Sequence, residues 1–213
     1  AILPLREKYA AIGTAVRELY ELASMLRRER HARGGIDYEP LCMDFERIDE
    51  HGTVSVGMTP TYDAGLLVRE LLIAAGAAVG RHFSENGLPM LYTAFADPRK
   101  ALLDHLETLE GLLPGLPLRE HGEILRRVTE AAANHPVEDA VLYLLRRILP
   151  AARYVRTPAP HHLHAVDAFV SFANPAGRYA DLLVQRAIKN SIRYGAAVAN
   201  DSRFDEKLRD AAR

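Results

Sequence analysis

The residues best suited to chemistry stand in one stretch from Asn174 to Arg186, which reads NPAGRYADLLVQR. A turn containing proline leads directly into a pattern typical of an amphipathic helix, predicted to run to about Val198. Asn174 is a residue type that caps helices, and Gly177 lets the backbone approach a ligand closely. Backbone amides, the positive end of a helix and the guanidinium groups of Arg178 and Arg186 would together bind a phosphate group. Charges at a helix start also serve capping and solvation, so spacing alone leaves both interpretations open.

Hydrolysis of a phosphodiester needs further groups. Usually a divalent metal ion on clustered carboxylates activates the water, and a cation meets the charge developing on the phosphate. The sequence has no Asp-x-Asp-Asp type of cluster, and its carboxylates are scattered or stand beside basic residues. His161, His162 and His164 suggest a metal site, the last two on one face of a strand, but no carboxylate or cysteine stands at ligand spacing beside them. We therefore expect structural histidines and no metal ligands in this chain.

Glu70 is the second residue that needs an explanation. It stands almost alone in a helix predicted from Ala64 to about Glu85, capped by Asp63 and apolar nearly all round. A buried carboxylate needs a partner that offsets its desolvation. Glu70 therefore either pairs with an arginine, from Arg69 or another segment, or faces a site.

A cluster of arginines lies at the end of the first predicted helix, which spans residues 4–32. The cluster comprises Arg27, Arg28, Arg30 and Arg33, and Gly34-Gly35 is expected to end the helix. Cations at this position favour the helix dipole. A solvated helix end and a surface that faces RNA are both consistent with this pattern.

The elements that position these residues are predominantly helical. Besides the helices above, the pattern predicts helices over residues 98–112, 118–134, 136–149 and 201–212, the third of these with Pro136 at its first position. Alternation over residues 36–58 predicts a β-hairpin with its turn at 49–52. Residues 113–117 are a loop, and residues 153–164 are extended and interrupted by prolines. We find neither repeat nor linker, so the predicted fold class is a single α+β unit, predominantly helical.

Composition limits the classes of function. The 213 residues are 48% hydrophobic and 26% charged, with a formal net charge of −1. Contact with a nucleic acid must therefore be local, because the chain has no global basic field. The single cysteine, Cys42, excludes an internal disulfide and indicates a reducing, cytoplasmic location. No apolar run approaches the ~18 residues that would span a membrane, so no membrane partner is expected.

Several segments resemble the RNB catalytic domain of the ribonuclease II and ribonuclease R family. The stretch beginning at Asn174 resembles its signature, Thr-Ser-Pro-Ile-Arg-Arg-Tyr-x-Asp-Leu-x-x-His-Arg, and residues 161–169 resemble its His-Phe-Gly-Leu lead-in. Residues 30–38 resemble Arg-x-x-Arg-Gly-Ala-x-Asp-Phe, and residues 67–75 resemble Leu-Ile-Glu-Glu-Phe-Met-x-x-Ala-Asn. The ordered matches imply that residues 1–213 are the C-terminal portion of an RNB exoribonuclease domain, with a small β-hairpin and a signature helix that lines a channel.

The resemblance implies a 3′-to-5′ exoribonuclease acting on single-stranded RNA with Mg²⁺. The family's acidic cluster lies upstream of the earliest match, so the Mg²⁺ ligands are expected outside this chain. The implied partners are single-stranded RNA, the remaining N-terminal half of the catalytic domain and flanking RNA-binding domains. In this view Arg178 holds the terminal phosphates, Glu70 touches the 3′-terminal ribose, and Asp181 and Arg186 fix the helix by ion pairing. The residues assigned to RNA binding are Tyr179, Glu70, Asn174, Arg186 and Asp181, and those assigned to catalysis are Arg178 and Gly177.

The chain also departs from the family pattern. Gly177 stands where the family has the arginine implicated in cleavage, and Arg178 matches the second arginine of the signature. Ser171 and Gln185 stand in place of histidines. Arg178 has therefore taken over the phosphate contact, or the protein cleaves slowly, or it only binds RNA. The alternative hypothesis is a catalytically weak or inactive RNA-binding relative, and a third is a helical interaction domain whose arginines are surface charge.

Overall fold

The computed structural model describes residues 10–37, 43–48, 54–58, 63–116, 124–133, 135–195 and 202–212. It confirms the predominantly helical α+β class. The elements in chain order are α1 (Ala10–Ala32), β1 (Met43–Ile48), β2 (Val54–Met58), α2 (Asp63–Glu85), β3 (Tyr92–Ala94), α3 (Arg99–Asp104), α4 (Leu106–Leu112), α5 (Ile124–Ala132), α6 (Glu138–Ile148), β4 (Arg153–Val155), α7 (Tyr179–Tyr194) and α8 (Ser202–Ala211). None of the helices described has the length and apolar character needed to cross a bilayer.

Helices α1 and α2 pack against each other. The two glycines predicted to end α1 do so: Gly34 adopts a φ of 91°, which favours glycine, and a Cβ on Gly35 would lie 2.5 Å from Arg30 Cγ. Helix α2 matches its prediction to within one residue. The first part of the predicted helix over 4–32 lies outside the described residues.

Two small antiparallel sheets lie within the described residues. Strands β1 and β2 pair with Met43 opposite Met58 and an irregularity between Phe45 and Arg47, which confirms the hairpin, although its predicted turn lies outside the described residues. Strand β3 pairs with β4, Tyr92 lying opposite Val155. The second sheet was not predicted, because three-residue strands are too short to show a period of two.

Some predicted helices differ from those observed. The helix expected over 98–112 is two helices, because the chain breaks at His105, whose Nδ1 lies 3.0 Å from Ala101 O and whose backbone N donates to Leu102 O. Pro136 lies in the turn before α6 rather than at its first position. The predicted helix over 118–134 is seen as α5, and residues 117–123 and 134 lie outside the described part.

The described core has two centres. Helices α3 to α6 surround one of them, with Leu102, Leu109, Val128, Val141 and Leu145 fully buried. The other lies under α7, whose Leu183, Val184 and Ala187 pack with the cluster that contains Phe83, Met90, Leu91, Tyr92, Val170 and Leu208. Burial of these apolar side chains fixes which face of α7 is turned outward.

Close contact with α2 positions the segment that leads to α7. A Cβ on Gly76 would lie 2.5 Å from Val170 O, and one on Gly80 would lie 2.8 Å from Ala168 O. Val170 N donates to Gly76 O at 3.3 Å, and Thr93 N donates to Phe169 O at 2.8 Å. Residues 168–170 are therefore held between α2 and β3, and the stretch that begins at Ser171 starts from a fixed position.

Candidate functional site

The turn before α7 is closed by Asn174. Asn174 O accepts from Arg178 N at 2.9 Å, and Asn174 Oδ1 accepts from Gly177 N at 3.0 Å. Helix α7 begins at Tyr179, its N-cap is Arg178 in an extended conformation, and this residue makes no side-chain capping bond. The prediction that Asn174 caps the helix is therefore wrong, because Pro175 and Gly177 form a separate turn that places Asn174 one turn too early.

Asp181 fastens this turn to the helix. Its side chain is fully buried, and its Oδ2 accepts from Asn174 N at 2.8 Å and from Arg178 Nη2 at 2.8 Å. The negative charge also lies in the first turn of α7, where the helix dipole favours it. The sequence predicts that Asp181 and Arg186 fix the helix by ion pairing; in the structure Asp181 pairs with Arg178 instead, a partner that was not predicted.

Arg178 presents an oriented but accessible cation. Its side chain is 46% exposed, and Nη2 also donates to Ser171 Oγ at 2.8 Å. No described residue accepts a hydrogen bond from Nε or Nη1, so this edge of the guanidinium is available to a bidentate acceptor such as a phosphate. Ser171 thus helps to hold the guanidinium in place.

The other predicted residues of α7 lie at different distances from this turn. Tyr179 is 57% exposed and follows Arg178 directly. Arg186 is exposed about 10 Å further along the helix axis, at a rise of ~1.5 Å per residue. No described residue makes an ion pair with it. The expectation that Arg178 and Arg186 bind one phosphate together therefore stays a prediction.

Gly177 lies in contact with the side chain of Asn174. A Cβ on Gly177 would be 2.6 Å from Asn174 Nδ2 and 2.9 Å from Oδ1. Such distances are shorter than van der Waals contact, so the exposed Asn174 side chain would have to move if residue 177 were larger. The sequence alone gave no sign of this contact.

Glu70 is buried in an ion pair. Glu70 and Arg30 are each 2% exposed, Arg30 Nε donates to Oε2 at 2.9 Å, and Nη2 donates to Oε1 at 2.7 Å. Arg69 Nη2 also lies 3.4 Å from Oε1. The structure therefore shows the ion pair that the sequence left open, mainly with Arg30, and turns the carboxylate away from solvent. In this arrangement the carboxylate of Glu70 is buried, so it offers no exposed oxygen for the predicted contact with a ribose.

Asp37 extends this ion pair into a network, which we call the Arg30 network: Arg27, Arg30, Asp37, Arg69 and Glu70. Asp37 accepts from Arg30, from Arg27 Nε at 2.7 Å and from Arg69 Nη2 at 2.9 Å. Burial opposes ionisation of Asp37, but the hydrogen bonds from Arg30 and Arg27 outweigh it, so its pKa is held well below the usual range. Burial likewise opposes the charge of Arg30, yet its bonds to Glu70 and Asp37 raise its pKa.

Sequence reasoning missed this network. It interpreted the arginines at the end of α1 as a solvated helix end or a surface for RNA. Arg30 instead points into the protein, and Arg27 borders a cleft of about 520 Å³ between α1, α2, α5 and α6. The residue that could have indicated this network is Asp37. It follows the Gly34-Gly35 turn, which brings the chain back to the end of α1 where the arginines lie.

The histidines of the lead-in form an aromatic cluster. The rings of His161 and His164 stack with centroids 3.9 Å apart, and both contact Phe169 edge-on. Burial lowers the pKa of His161 to about 4, and burial together with the neighbouring His161 lowers the pKa of His164 to about 3. Both imidazoles are therefore neutral at neutral pH. His162 and His164 lie in a 3₁₀ turn, so the expected strand face is wrong.

The described residues do not fit a Mg²⁺ site. Within them, no group of three His, Cys, Asp or Glu side chains could hold a metal ion. Asp37 and Glu70, which share Arg30 and Arg69 as partners, are occupied by these arginines. Magnesium prefers several unpaired oxygen ligands, which this arrangement does not offer.

Comparisons with known proteins show which family this chain resembles. The family model for the RNB domain matches residues 4–194. Ribonuclease R of Thermotoga maritima is 29% identical over 195 residues, covering 86% of this chain and 26% of that protein. Ribonuclease R of Escherichia coli strain K12 is 28% identical over 193 residues, covering 87% of this chain and 23% of that protein. The chain therefore spans about a quarter of the length of these relatives.

A solved structure shows the same fold. Mycoplasma genitalium RNase R in complex with double-stranded RNA is similar with a TM-score of 0.77 at 19% identity, covering 100% of this chain and 38% of that one. The predicted family is confirmed, since the family model spans most of the sequence and the architecture agrees. The chain belongs to the RNB domain family.

Proposed function

We propose that this chain is the C-terminal portion of an RNB exoribonuclease domain that degrades single-stranded RNA from its 3′ end in the cytoplasm. Membership of the RNB family and the ribonuclease R relatives support the reaction class. The observation that carries the assignment is Arg178, whose guanidinium is fixed by Asp181 and Ser171 while its other edge stays open. A preoriented guanidinium loses little freedom when it binds a phosphate.

The contribution of this chain is to bind and orient RNA. Arg178 and Asp181 form a neutral pair, so attraction to a phosphate comes from two directed hydrogen bonds and the positive end of α7 rather than from net charge. Tyr179 offers an exposed ring beside the arginine, on which a base can stack. Mg²⁺ belongs, in this proposal, to the remaining N-terminal half of the domain, and flanking domains extend the RNA contact.

A second candidate function is RNA binding with weak or no cleavage. It is favoured by Gly177, which has no side chain to place at the phosphate, and by Asn174, which occupies the space beside it. Loss of one preorganised donor typically lowers a rate about 10²–10³-fold, which would leave an enzyme slow rather than inactive.

The test is cleavage of an end-labelled single-stranded RNA by the complete gene product with Mg²⁺. Arg178→Ala should lower kcat/KM about 10²-fold, because it removes the oriented cation. Arg193→Ala is the matched control: it removes an exposed arginine from the same helix and should cleave like the parent.

Each result selects one function. Equal cleavage by Arg178→Ala and the parent would remove Arg178 from the mechanism. RNA binding that weakens with salt, without any mononucleotide product, would favour the second candidate. Absence of RNA retention even at low salt would leave the third hypothesis, a helical interaction domain.

A further inference from the structure

Helix α1 carries one apolar face that the described residues cover only toward its C-terminal end. The side chains of this face follow a spacing of three and four residues: Ile12, Val16, Leu19, Ala23 and Leu26. Ala23 is 4% exposed and Leu26 is half-buried. The first three residues lie on the same face, yet Ile12 is 58%, Val16 37% and Leu19 42% exposed. We call these three residues the α1 stripe.

Helix α2 has an uncovered apolar face as well. One side of this helix is formed by Ala64, Val68, Leu72 and Ala75, and we call it the outer face of α2. Val68 is 53% and Leu72 38% exposed, whereas Glu70 and Ile73, on the other side of the helix, are buried. A helix that is apolar nearly all round is normally enclosed on all sides. The outer face therefore lacks the neighbour that its composition calls for.

The chemistry of the two faces indicates what kind of partner they fit. Single exposed apolar side chains are ordinary, but several in helical register on two neighbouring helices mark an interaction surface. Neither face contains a charged residue, although Arg17, Glu18 and Glu21 occupy other exposed positions of α1. RNA is bound chiefly through cations on its phosphates, which these faces do not offer. They fit an apolar protein surface instead.

The length of the relatives points to one such surface. The chain covers about a quarter of each ribonuclease R it was compared with, and its described residues do not form a Mg²⁺ site. A preceding segment joined to Ala1 would start within about 30 Å of Ala10, because nine residues of chain span at most ~3.4 Å each. Such a tether gives the segment a local concentration in the millimolar range beside α1, which a second copy of the chain lacks.

We propose that the α1 stripe and the outer face of α2 pack against the preceding, metal-binding half of the RNB domain, as part of a core that the two halves share. This inference rests on the proposed function, which supplies that half, and it adds the surface that joins the halves. Interfaces of this kind have an apolar centre and a polar rim. The charged residues on the remaining sides of α1 are left in contact with solvent.

Photocrosslinking identifies what covers the α1 stripe. In the complete gene product p-benzoylphenylalanine replaces Leu19, and the crosslinked peptides are identified by mass spectrometry. We expect a crosslink within one molecule to a peptide that precedes Ala1. The matched control places the same group at Met25, which is 52% exposed on another side of α1 and should give no such crosslink.

The stability of the complete gene product is a second measurement. Leu19→Asp places a charge in the shared core and should lower the melting temperature by about 5 °C or more. Met25→Asp makes the same change of charge in the same helix, outside the stripe, and should leave the melting temperature close to that of the parent. Val68→Asp tests the outer face of α2 in the same way and should resemble Leu19→Asp. The benzoylphenylalanine variant keeps an apolar ring at position 19, so it remains informative if Leu19→Asp does not fold.

The outcomes separate this inference from the proposed function. Equal melting temperatures of Leu19→Asp and Met25→Asp, or no crosslink to residues before Ala1, would overturn the inference even if the parent cleaves RNA. Crosslinks between two molecules that increase with protein concentration would also overturn it, because a second copy would then cover the stripe. Neither measurement needs RNA or Mg²⁺, so the shared core can be confirmed in a protein that does not cleave RNA. A gene that encodes no metal-binding half before Ala1 would contradict both proposals.

Discussion

Arg30 and Glu70 are two opposite charges that are almost completely removed from solvent, 40 residues apart in the sequence. Breaking one partner of such a pair leaves the other charge buried and unneutralised. Glu70→Gln should therefore lower the free energy of unfolding by about 3 kcal/mol, measured by urea denaturation.

The matched control for this change is Glu85→Gln, which neutralises an exposed glutamate on the same helix. It should leave the unfolding midpoint close to that of the parent. If instead Glu70→Gln is as stable as the parent but binds RNA with a free 3′-hydroxyl more weakly, the ribose contact suggested by the family resemblance would regain support.

Whether a contact between two residues could be predicted depended on how far apart they stand in the sequence. Arg178 and Asp181 stand three residues apart at a helix start, a spacing at which side chains meet, so an ion pair of Asp181 was predictable even though Arg178 was not named as its partner. Arg30 and Glu70 meet only after two helices pack, so the need of Glu70 for a partner was predictable from the sequence but the identity of that partner was not. The contact between Asn174 and Gly177 depends on the turn geometry, which residue types alone do not determine.

At the level of elements, two of the three glycines of α2, Gly65 and Gly80, have opposite surroundings. Gly80 lies against Ala168 O, whereas nothing lies near the Cβ position of Gly65 at the other end of the helix. Alanine favours helix, so Gly65→Ala should stabilise the protein by about 0.5–1 kcal/mol. Gly80→Ala should destabilise it by roughly 1–3 kcal/mol, because a methyl group cannot fit against the backbone.

Thermal or urea denaturation measures the stability of the two variants. Because both carry the same substitution in the same helix, the difference in their stability reports the surroundings of the two glycines. Equal stabilisation by both would show that residues 168–170 can move away from α2 at little cost. In that case the start of the stretch at Ser171 would not be fixed as described.

Long amphipathic elements were predictable and short ones were not. Helix α2 was predicted to within a residue because its apolar pattern lasts for several turns. The break at His105 depends on local contacts, and β3 and β4 form because Thr93 meets Tyr154, 61 residues later in the chain. Tertiary contact, rather than local preference, decides such elements.

At the scale of the whole molecule, the titrating groups predict sensitivity to acid. His161 and His164 have folded-state pKa values of about 4 and about 3, below the ordinary 6.5, because burial disfavours their charged form. The unfolded chain therefore binds protons first as pH falls. Stability is full above pH 6.5 and declines below it, by up to ~1.4 kcal/mol per pH unit for each histidine.

Asp37 acts in a second, lower window. Its folded-state pKa lies below its ordinary 3.8, so the stability it contributes is present above that value and lost below it.

The contribution of the histidines is measured by urea denaturation. Urea midpoints measured between pH 7.5 and pH 4.5 should fall as the pH falls in the parent, and should fall less in His164→Phe. The exposed His162→Gln should follow the parent, and a parental midpoint independent of pH in this interval would contradict the histidine assignment.

The bonds that shape the turn before α7 all join residues close in sequence: Asn174 with Gly177, Arg178 with Ser171 and Asp181, and Gln185 with Phe172 O. A unit closed by such short-range contacts forms quickly and depends little on the rest of the chain for its internal shape. Substitutions of the exposed residues Ala176, Gly177 and Tyr179 can then change the surface of the turn while the two described cores remain intact. The sequence of this turn can therefore change during evolution separately from the residues of the two cores.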